Sequence, residues 1–264
     1  MTNLTEKICI ITGAGRGIGA TAGSALLEAG HTVYFTDADV NRVDQHVTAL
    51  PQFKENAFSL HLDVSSDESV QTAIDHVGSK HGRIDLLINN AGTVNQQPTQ
   101  LVISEEWNRL IDVHLGGTFR CCRAAFPYLC SAGESAIVNV SSIAGRFGLP
   151  IRASYCAAKA GIEGFTRSLA AEWAEFGIRV NAVAPGWVMT ELIHEGLDSG
   201  LVSMETLQTR ISLKRLAEPR EISDVMMFLA GSSSSYITGQ VISVDGGLSI
   251  DLNPGNTSAQ TTPN

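Results

Sequence analysis

Short β-branched, apolar runs recur along the chain at ICIIT, TVYFTD, AFSLHLD, DLLIN, AIVNVSS, RVNAVAP and QVISVD. Each but the last is followed by a segment long enough for a helix. That alternation predicts a parallel sheet with helices on both faces. Two local signals add helix starts. Ser65-x-x-Glu68, just before Val70, has capping-box spacing, and Ser104 precedes the Glu-rich turn EEWNRL. From Asn253 onward NPGNTSAQTTPN carries no charge and almost no apolar residue. It cannot bury enough surface to offset its ordering entropy and is expected to be a disordered tail.

The bulk numbers refine this picture. With 264 residues, 44% hydrophobic and 17% charged, the chain can bury a sizeable core, and a single α/β domain over residues 1–252 is expected. Eighteen Lys+Arg against 27 Asp+Glu give a net charge of -9, with no basic run to follow a phosphate backbone. Nucleic acid is not an expected partner. The five cysteines, Cys9, Cys121, Cys122, Cys130 and Cys156, show no metal-ligand spacing and read as reduced core thiols. No apolar run approaches the roughly 20 residues that span a bilayer, so no membrane partner is expected and the location is expected to be cytoplasmic.

Candidate chemistry begins where the first strand runs into TGAGRGIG, with glycines at Gly13, Gly17 and Gly19. Glycine there permits a tight turn, lets backbone amides approach a pyrophosphate and aims the following helix at that anion. A tight strand-to-helix connection alone would also use glycine. Context favours the binding reading, because the second strand then ends in Asp37, an acid able to accept hydrogen bonds from ribose hydroxyls.

The ordered motifs TGAGRGIG, LDV at Leu62 to Val64, NNAG at Asn89 to Gly92, VNVSS at Val138 to Ser142, YCAAK at Tyr155 to Lys159, PGWVMT at Pro185 to Thr190 and ITGQVISVDGG ending at Gly247 resemble the short-chain dehydrogenase/reductase family. The resemblance covers nearly the whole chain and implies a Rossmann-type doubly wound parallel sheet. It also implies roles. Gly13, Arg16, Gly17, Ile18 and Gly19 would hold the cofactor's pyrophosphate side, Asp63 and Val64 would border the adenine, and Asn90, Ala91 and Gly92 would support the ribose side. Val188 and Thr190 would hold the nicotinamide carboxamide, and Pro185 and Gly186 would also bind the cofactor. Asn89, Asn139 and Asn181 read as structural, since strand-end asparagines more often satisfy backbone groups.

Tyr155 and Lys159 stand four apart, on one face of a helix. A free tyrosine is a poor base at neutral pH, and a nearby cation favours its phenolate. Tyr155 is therefore the candidate general acid/base, with Lys159 as its cation and, by resemblance, a partner of the nicotinamide ribose. Ser142, thirteen residues earlier at the end of VNVSS, is the candidate partner of the substrate oxygen, and its neighbour Ser141 is not. One position departs from the pattern. Where the family usually has asparagine this chain has His114, which either replaces it structurally or relays protons itself.

The loops TVNQQP and RFGLPIRAS put Asn95, Gln96, Arg146 and Arg152 forward as substrate contacts, together with Trp187. They point to a polar or anionic secondary alcohol or ketone such as a polyol, sugar or hydroxy acid. The segment from Glu191 to Leu216 is expected to be a mobile lid, with Leu192, Ile193, Leu197, Leu201 and Met204 available to cover the site. NAD is the expected cofactor rather than NADP: Asp37 would repel a 2′-phosphate, although Arg16 could pair with one. A 3-oxoacyl-thioester reductase is the alternative activity, and a non-catalytic dinucleotide sensor the alternative outside enzymes. By resemblance, the helices carrying RCCRAAFPYLC and AAKAGIEGFTRSLAAEW pair into a homotetramer.

Overall fold

The computed structural model describes residues 6–198, 200 and 203–250, apart from the Leu192 side chain. The expected tail at 253–264 and the lid residue Leu201 lie outside the described residues. All seven anticipated strands form: β1 Ile8–Thr12, β2 Thr32–Asp37, β3 Ala57–His61, β4 Leu86–Asn89, β5 Ser135–Val140, β6 Ile178–Pro185 and β7 Val241–Val244. They make one parallel sheet in the order β3-β2-β1-β4-β5-β6-β7. Successive strands first step outward from β1 through β2 to β3. The chain then returns to place β4 on the other side of β1. Strand order reverses between β1 and β4, and in open α/β sheets ligands bind beyond the carboxyl ends of the strands at such a switch point.

Side chains alternate across the sheet with a period of two, and β1 shows the consequence. Ile8 and Ile10 enter one buried layer and Cys9 and Ile11 the other. The first layer is covered by α3 (Asp67–His81), α5 (Gly117–Ser131) and α6 (Ala153–Trp173), through residues such as Ile74, Leu129 and Trp173. The second is covered by α1 (Gly17–Glu28), α2 (Val40–Thr48) and α9 (Pro219–Ala230), through Leu26, Val43 and Met226. The remaining helices, α4 (Ser104–Ile111), α7 (Glu191–Asp198) and α8 (Met204–Thr209), lie in the connections after β4 and β6.

Two helix starts differ from the sequence reading. The cap of α3 is Ser66, whose hydroxyl accepts from the Ser69 amide at 3.2 Å, not Ser65. Asp63 captures Ser65 instead, since the amide and hydroxyl of Ser65 donate to Asp63 Oδ1 at 2.9 and 2.7 Å. Ser104 is not a cap either. It is the first residue of α4, after Ile103, and makes no capping hydrogen bond.

Candidate active site

The carboxyl ends of the strands open onto a cavity of about 670 Å³. At one end lies the turn between β1 and α1, where Gly13 and Gly17 sit at φ +62° and +59°, a region that other residues rarely adopt. A Cβ on Gly13 would come within 2.7 Å of Ala91 Cα, so the glycine turn and the NNAG segment close on each other. Thr12 Oγ1 fastens them, accepting from the amides of Asn90 and Ala91 at 3.1 Å each. The Asn90 side chain donates back to the carbonyls of Thr12 and Gly13. Gly13, Arg16, Gly17, Ile18, Asn90, Ala91 and Gly92 all line the cavity. Gly19 does not; a Cβ there would reach within 2.5 Å of Asn90 Nδ2, so its bare backbone serves the packing of α1 on that segment.

Helix α1 begins with no side-chain cap and no acid in its first turn. Its first amides are left for an anion, which suits a pyrophosphate. Beside it, Asp37 ends β2 on the cavity wall, its Oδ2 accepting from the Gly15 amide at 3.3 Å and Oδ1 from the Asp39 amide at 3.0 Å. Asp63 and Val64 line the same end. Hydrogen bonds from the Ser65 hydroxyl and amide hold the Asp63 carboxyl below the usual carboxylate range. Arg16 and Arg42 also line this wall, and each is paired with an acid, Glu195 at 3.3 Å and Asp39 at 3.1 Å. An uncapped helix start, glycines without Cβ and a ribose-competent acid together fit a nicotinamide dinucleotide.

At the other end, Ser142, Tyr155 and Lys159 meet on the cavity wall. Ser142 follows β5, and its hydroxyl accepts from the Ala144 amide at 3.1 Å. Tyr155 and Lys159 project from the first turns of α6. Lys159 is 4% exposed, donates to the Val140 carbonyl at 2.7 Å, and places Nζ 5.6 Å from the centre of the Tyr155 ring. Burial lowers its pKa to about 7. Tyr155 moves the opposite way from the sequence expectation. Burial raises its pKa, offset in part by the Ser142 hydroxyl and the charge of Arg152. Burial outweighs these, and among the described residues Lys159 Nζ bonds the Val140 carbonyl and makes no hydrogen bond to the phenol, so the protein alone leaves the phenol protonated.

His114 sits in a π-turn over Asp112–Gly116. Its ring stands edge-on to Tyr155 at 5.4 Å and fills the space a Cβ on Gly92 would need, with Cε1 2.3 Å from that point. Nε2 lies 2.6 Å from the Thr93 carbonyl and 3.1 Å from its amide. The shorter contact assigns the ring proton to Nε2, leaving Nδ1 buried without a partner. Burial, then Lys159, push the pKa of His114 down to about 3. The ring is neutral throughout the physiological range.

A sequence profile described as Enoyl-(Acyl carrier protein) reductase matches residues 13–249. The chain is 37% identical over 247 residues to the 3-oxoacyl-[acyl-carrier-protein] reductase FabG of Thermotoga maritima, covering 94% of this chain and 99% of that protein. The cis-4-hydroxycyclohexanecarboxylate dehydrogenase of Sinomonas cyclohexanicum is also 37% identical, over 243 residues, covering 92% and 96%. This chain belongs to the short-chain dehydrogenase/reductase family. Its fold agrees with a solved structure of ElxO with NADP bound, at TM-score 0.88 and 31% identity over 92% of this chain and 99% of that one. As a member of the family it is an oxidoreductase of CH-OH groups that takes a nicotinamide cofactor.

Within this short-chain dehydrogenase/reductase, Pro185, Gly186, Val188 and Thr190 line the cavity after β6, as anticipated, and so do Arg152 and Trp187. Asn95, Gln96 and Arg146 are absent from its lining. Asn95 faces Glu106 at 3.4 Å, and Gln96 is exposed. Arg146 is held by Glu163 at 3.2 Å and by the Val241 carbonyl at 2.9 Å, which ties the loop after β5 to α6 and β7. Asn89 and Asn139 bond each other, and Asn181 bonds the Ile237 carbonyl, the structural work foreseen for them. The sequence reading missed Arg42, whose signal is its place one turn into the helix after Asp37. Ile193, named with the lid, lines the cavity, and so do Val94, Phe147 and Leu149, apolar members of the two loops from which the sequence puts only polar residues forward.

Because His114 does not titrate near neutrality, His114→Asn is expected to leave the pH profile of turnover unchanged between about 5.5 and 7.5. A limb that moved within that window would show that the ring relays protons. Its folded pKa lies below the unfolded value, so its contribution to stability is lost as pH falls through the range from about 6.5 toward about 3. Between pH 6.5 and 4, denaturant titration should show wild type losing up to about 3 kcal/mol more than the variant.

Proposed function

We propose that the protein is an NAD-dependent dehydrogenase of secondary alcohols, working through Tyr155. The observation that carries this reading is the meeting of Ser142, Tyr155 and Lys159 on the same cavity that holds the glycine turn and Asp37. Substrate hydroxyl would lie between Ser142 and Tyr155. Tyr155, as phenolate, takes the hydroxyl proton while the carbinol hydride leaves toward the cofactor. When bound, the nicotinamide ring accepts that hydride, and in its oxidised form it brings a positive charge beside the phenol. Lys159, on the same cavity wall, would contribute a second positive charge and a donor to the ribose. Ser142 steadies the oxygen as it becomes a carbonyl.

In this reading Gly13, Arg16, Gly17, Ile18 and Gly19 shape the pyrophosphate site, and Asp37 takes the adenosine ribose. Asp63 and Val64 flank the adenine, Asn90, Ala91 and Gly92 the ribose side, and Pro185, Gly186, Val188 and Thr190 the carboxamide. His114 supports Tyr155 by packing. The apolar lining by Val94, Phe147, Leu149 and Ile193 favours a substrate with a compact hydrocarbon body, rather than a polyol or sugar. Residues 1–252 act as one catalytic domain. The lid reading is supported by Ile193, which reaches the cavity and packs against the cluster of Leu207, Ile211 and Leu216.

A 3-oxoacyl-thioester reductase is the second reading, favoured by the identity to the Thermotoga maritima reductase. The reading extends to a cytoplasmic homotetramer. Free thiols at all five cysteines suit a reducing compartment, and the exposed Trp107 and Phe119 suit burial between subunits. No described helix is long and apolar enough to cross a membrane.

Tyr155→Phe keeps the ring and removes the ionisable hydroxyl. Turnover of secondary alcohols should fall by about 10²-fold or more, with dinucleotide binding kept; near-normal turnover would remove Tyr155 from the mechanism. The cofactor preference has its own test. Asp37 accepts ribose hydroxyls, whereas both nearby arginines already face carboxylates. NAD should exceed NADP by at least about tenfold in kcat/KM, which needs only about 1.4 kcal/mol. Asp37→Ala should narrow the gap mainly by improving use of NADP. Equal use of both by wild type would show that Asp37 does not set the choice.

A further inference from the structure

Three arginines line the cavity, and two of them are neutralised by acids at the adenosine end. The third, Arg152, differs. It lies half-buried at the catalytic end, immediately before α6 and three residues before Tyr155. Among the described residues no carboxylate pairs with it, and its one side-chain contact is the face of Trp187, 6.0 Å from the guanidinium carbon. Half-buried guanidinium groups normally find an acceptor, because taking a charge out of water unpaired is costly. The neighbours here are Tyr155, Phe147, Leu149 and Trp187, none of them an anion.

The backbone leading to Arg152 is unusual as well. Ile151 stands at φ +58°, a left-handed conformation that β-branched residues avoid and that persists only where surrounding structure enforces it. The enforcing contact is the Gln97 amide, which donates to the Ile151 carbonyl at 2.9 Å. Through it the loop after NNAG fixes the point at which the chain enters α6. That helix starts without a side-chain cap and without an acid in its first turn, so its positive end adds to the field of the arginine.

We propose that Arg152 recognises a carboxylate on the substrate, so that the preferred alcohols are small apolar hydroxy acids. One guanidinium, planar and singly charged, matches one carboxylate in two parallel hydrogen bonds. A phosphate dianion would call for a second cation at hand, and Lys159, the other one at this end, is only 4% exposed with Nζ against the Val140 carbonyl. Burial lowers the pKa of Arg152, the cost that a bound anion would relieve. The short spacing from Arg152 to Tyr155 sets the distance between carboxylate and carbinol, and the apolar walls hold the skeleton between them. Phe147, 49% exposed, marks the mouth through which such a molecule enters.

This inference rests on the dehydrogenase reading, and the test keeps the two apart. Wild type and Arg152→Gln, both with NAD, are compared on 3-hydroxycyclohexanecarboxylate and on its methyl ester. The ratio of kcat/KM for acid over ester should drop at least about 30-fold in the variant, mainly through KM, with part restored in Arg152→Lys. An unchanged ratio would overturn the proposal. Binding of cyclohexanecarboxylate to the NAD complex, followed by calorimetry, reads the same site without turnover. It should weaken at least tenfold in Arg152→Gln, and equal affinity in the two proteins would overturn the proposal. Wild type that binds this carboxylate through Arg152 but oxidises neither alcohol would overturn the dehydrogenase reading and leave the anion site standing.

Discussion

Everything at the catalytic end depends on a lysine buried with no acid beside it. Lys159 is 4% exposed and donates to the Val140 carbonyl at the end of β5, and among the described residues no carboxylate pairs with its ammonium. Burial without a counter-ion penalises the charged form of an amine, and it penalises the charged form of a phenol in the same way. Hence both groups lean toward neutrality in the free protein, Lys159 with its pKa near 7 and Tyr155 with its pKa raised. Lys159 Nζ lies 5.6 Å from the centre of the Tyr155 ring, so an ammonium there favours the phenolate. The oxidised form of the cofactor would supply a further positive charge, and with it bound the site would become more basic.

The rest of the scaffold keeps that arrangement from relaxing. Ser141 Oγ lies 3.2 Å from both the Lys159 carbonyl and Glu163 Oε1, with its one proton to give to either, and Glu163 also holds Arg146. This network spans the end of β5, the loop after it and α6, so Ser142 and Tyr155 are carried by elements locked to one another. Across the cavity, the ring of His114 backs Tyr155 while Thr93 holds His114. There is a cost in stability. An unfolded lysine keeps its proton to about pH 10.4, so the contribution of Lys159 improves as pH rises above about 7 and is unfavourable below it.

Much of this was legible in the sequence, for identifiable reasons. The strands announce themselves because parallel strands buried on both faces need continuous apolar runs. The glycine turn, Asp37, Ser142, Tyr155 and Lys159 are legible because their chemistry depends on local spacing along single elements. Failures came where a side chain's partner is distant in sequence. Arg146 looked available until Glu163 and Val241 claimed it. A second kind of failure is local: Ser65 has the spacing of a cap, but Asp63, two residues back, takes its hydroxyl and amide. The direction of the Tyr155 shift was out of reach too, because it follows from how deeply the pair is buried and from the carbonyl that Lys159 chose.

Burial without an acid should make Lys159 titrate near pH 7 in the free protein. NMR of protein carrying ¹⁵N-labelled lysine, titrated without cofactor and assigned with Lys159→Met, measures this directly. The account predicts one lysine amine titrating near pH 7 that vanishes in the variant. A Lys159 resonance that stays protonated to about pH 10, as an ordinary lysine does, would contradict it.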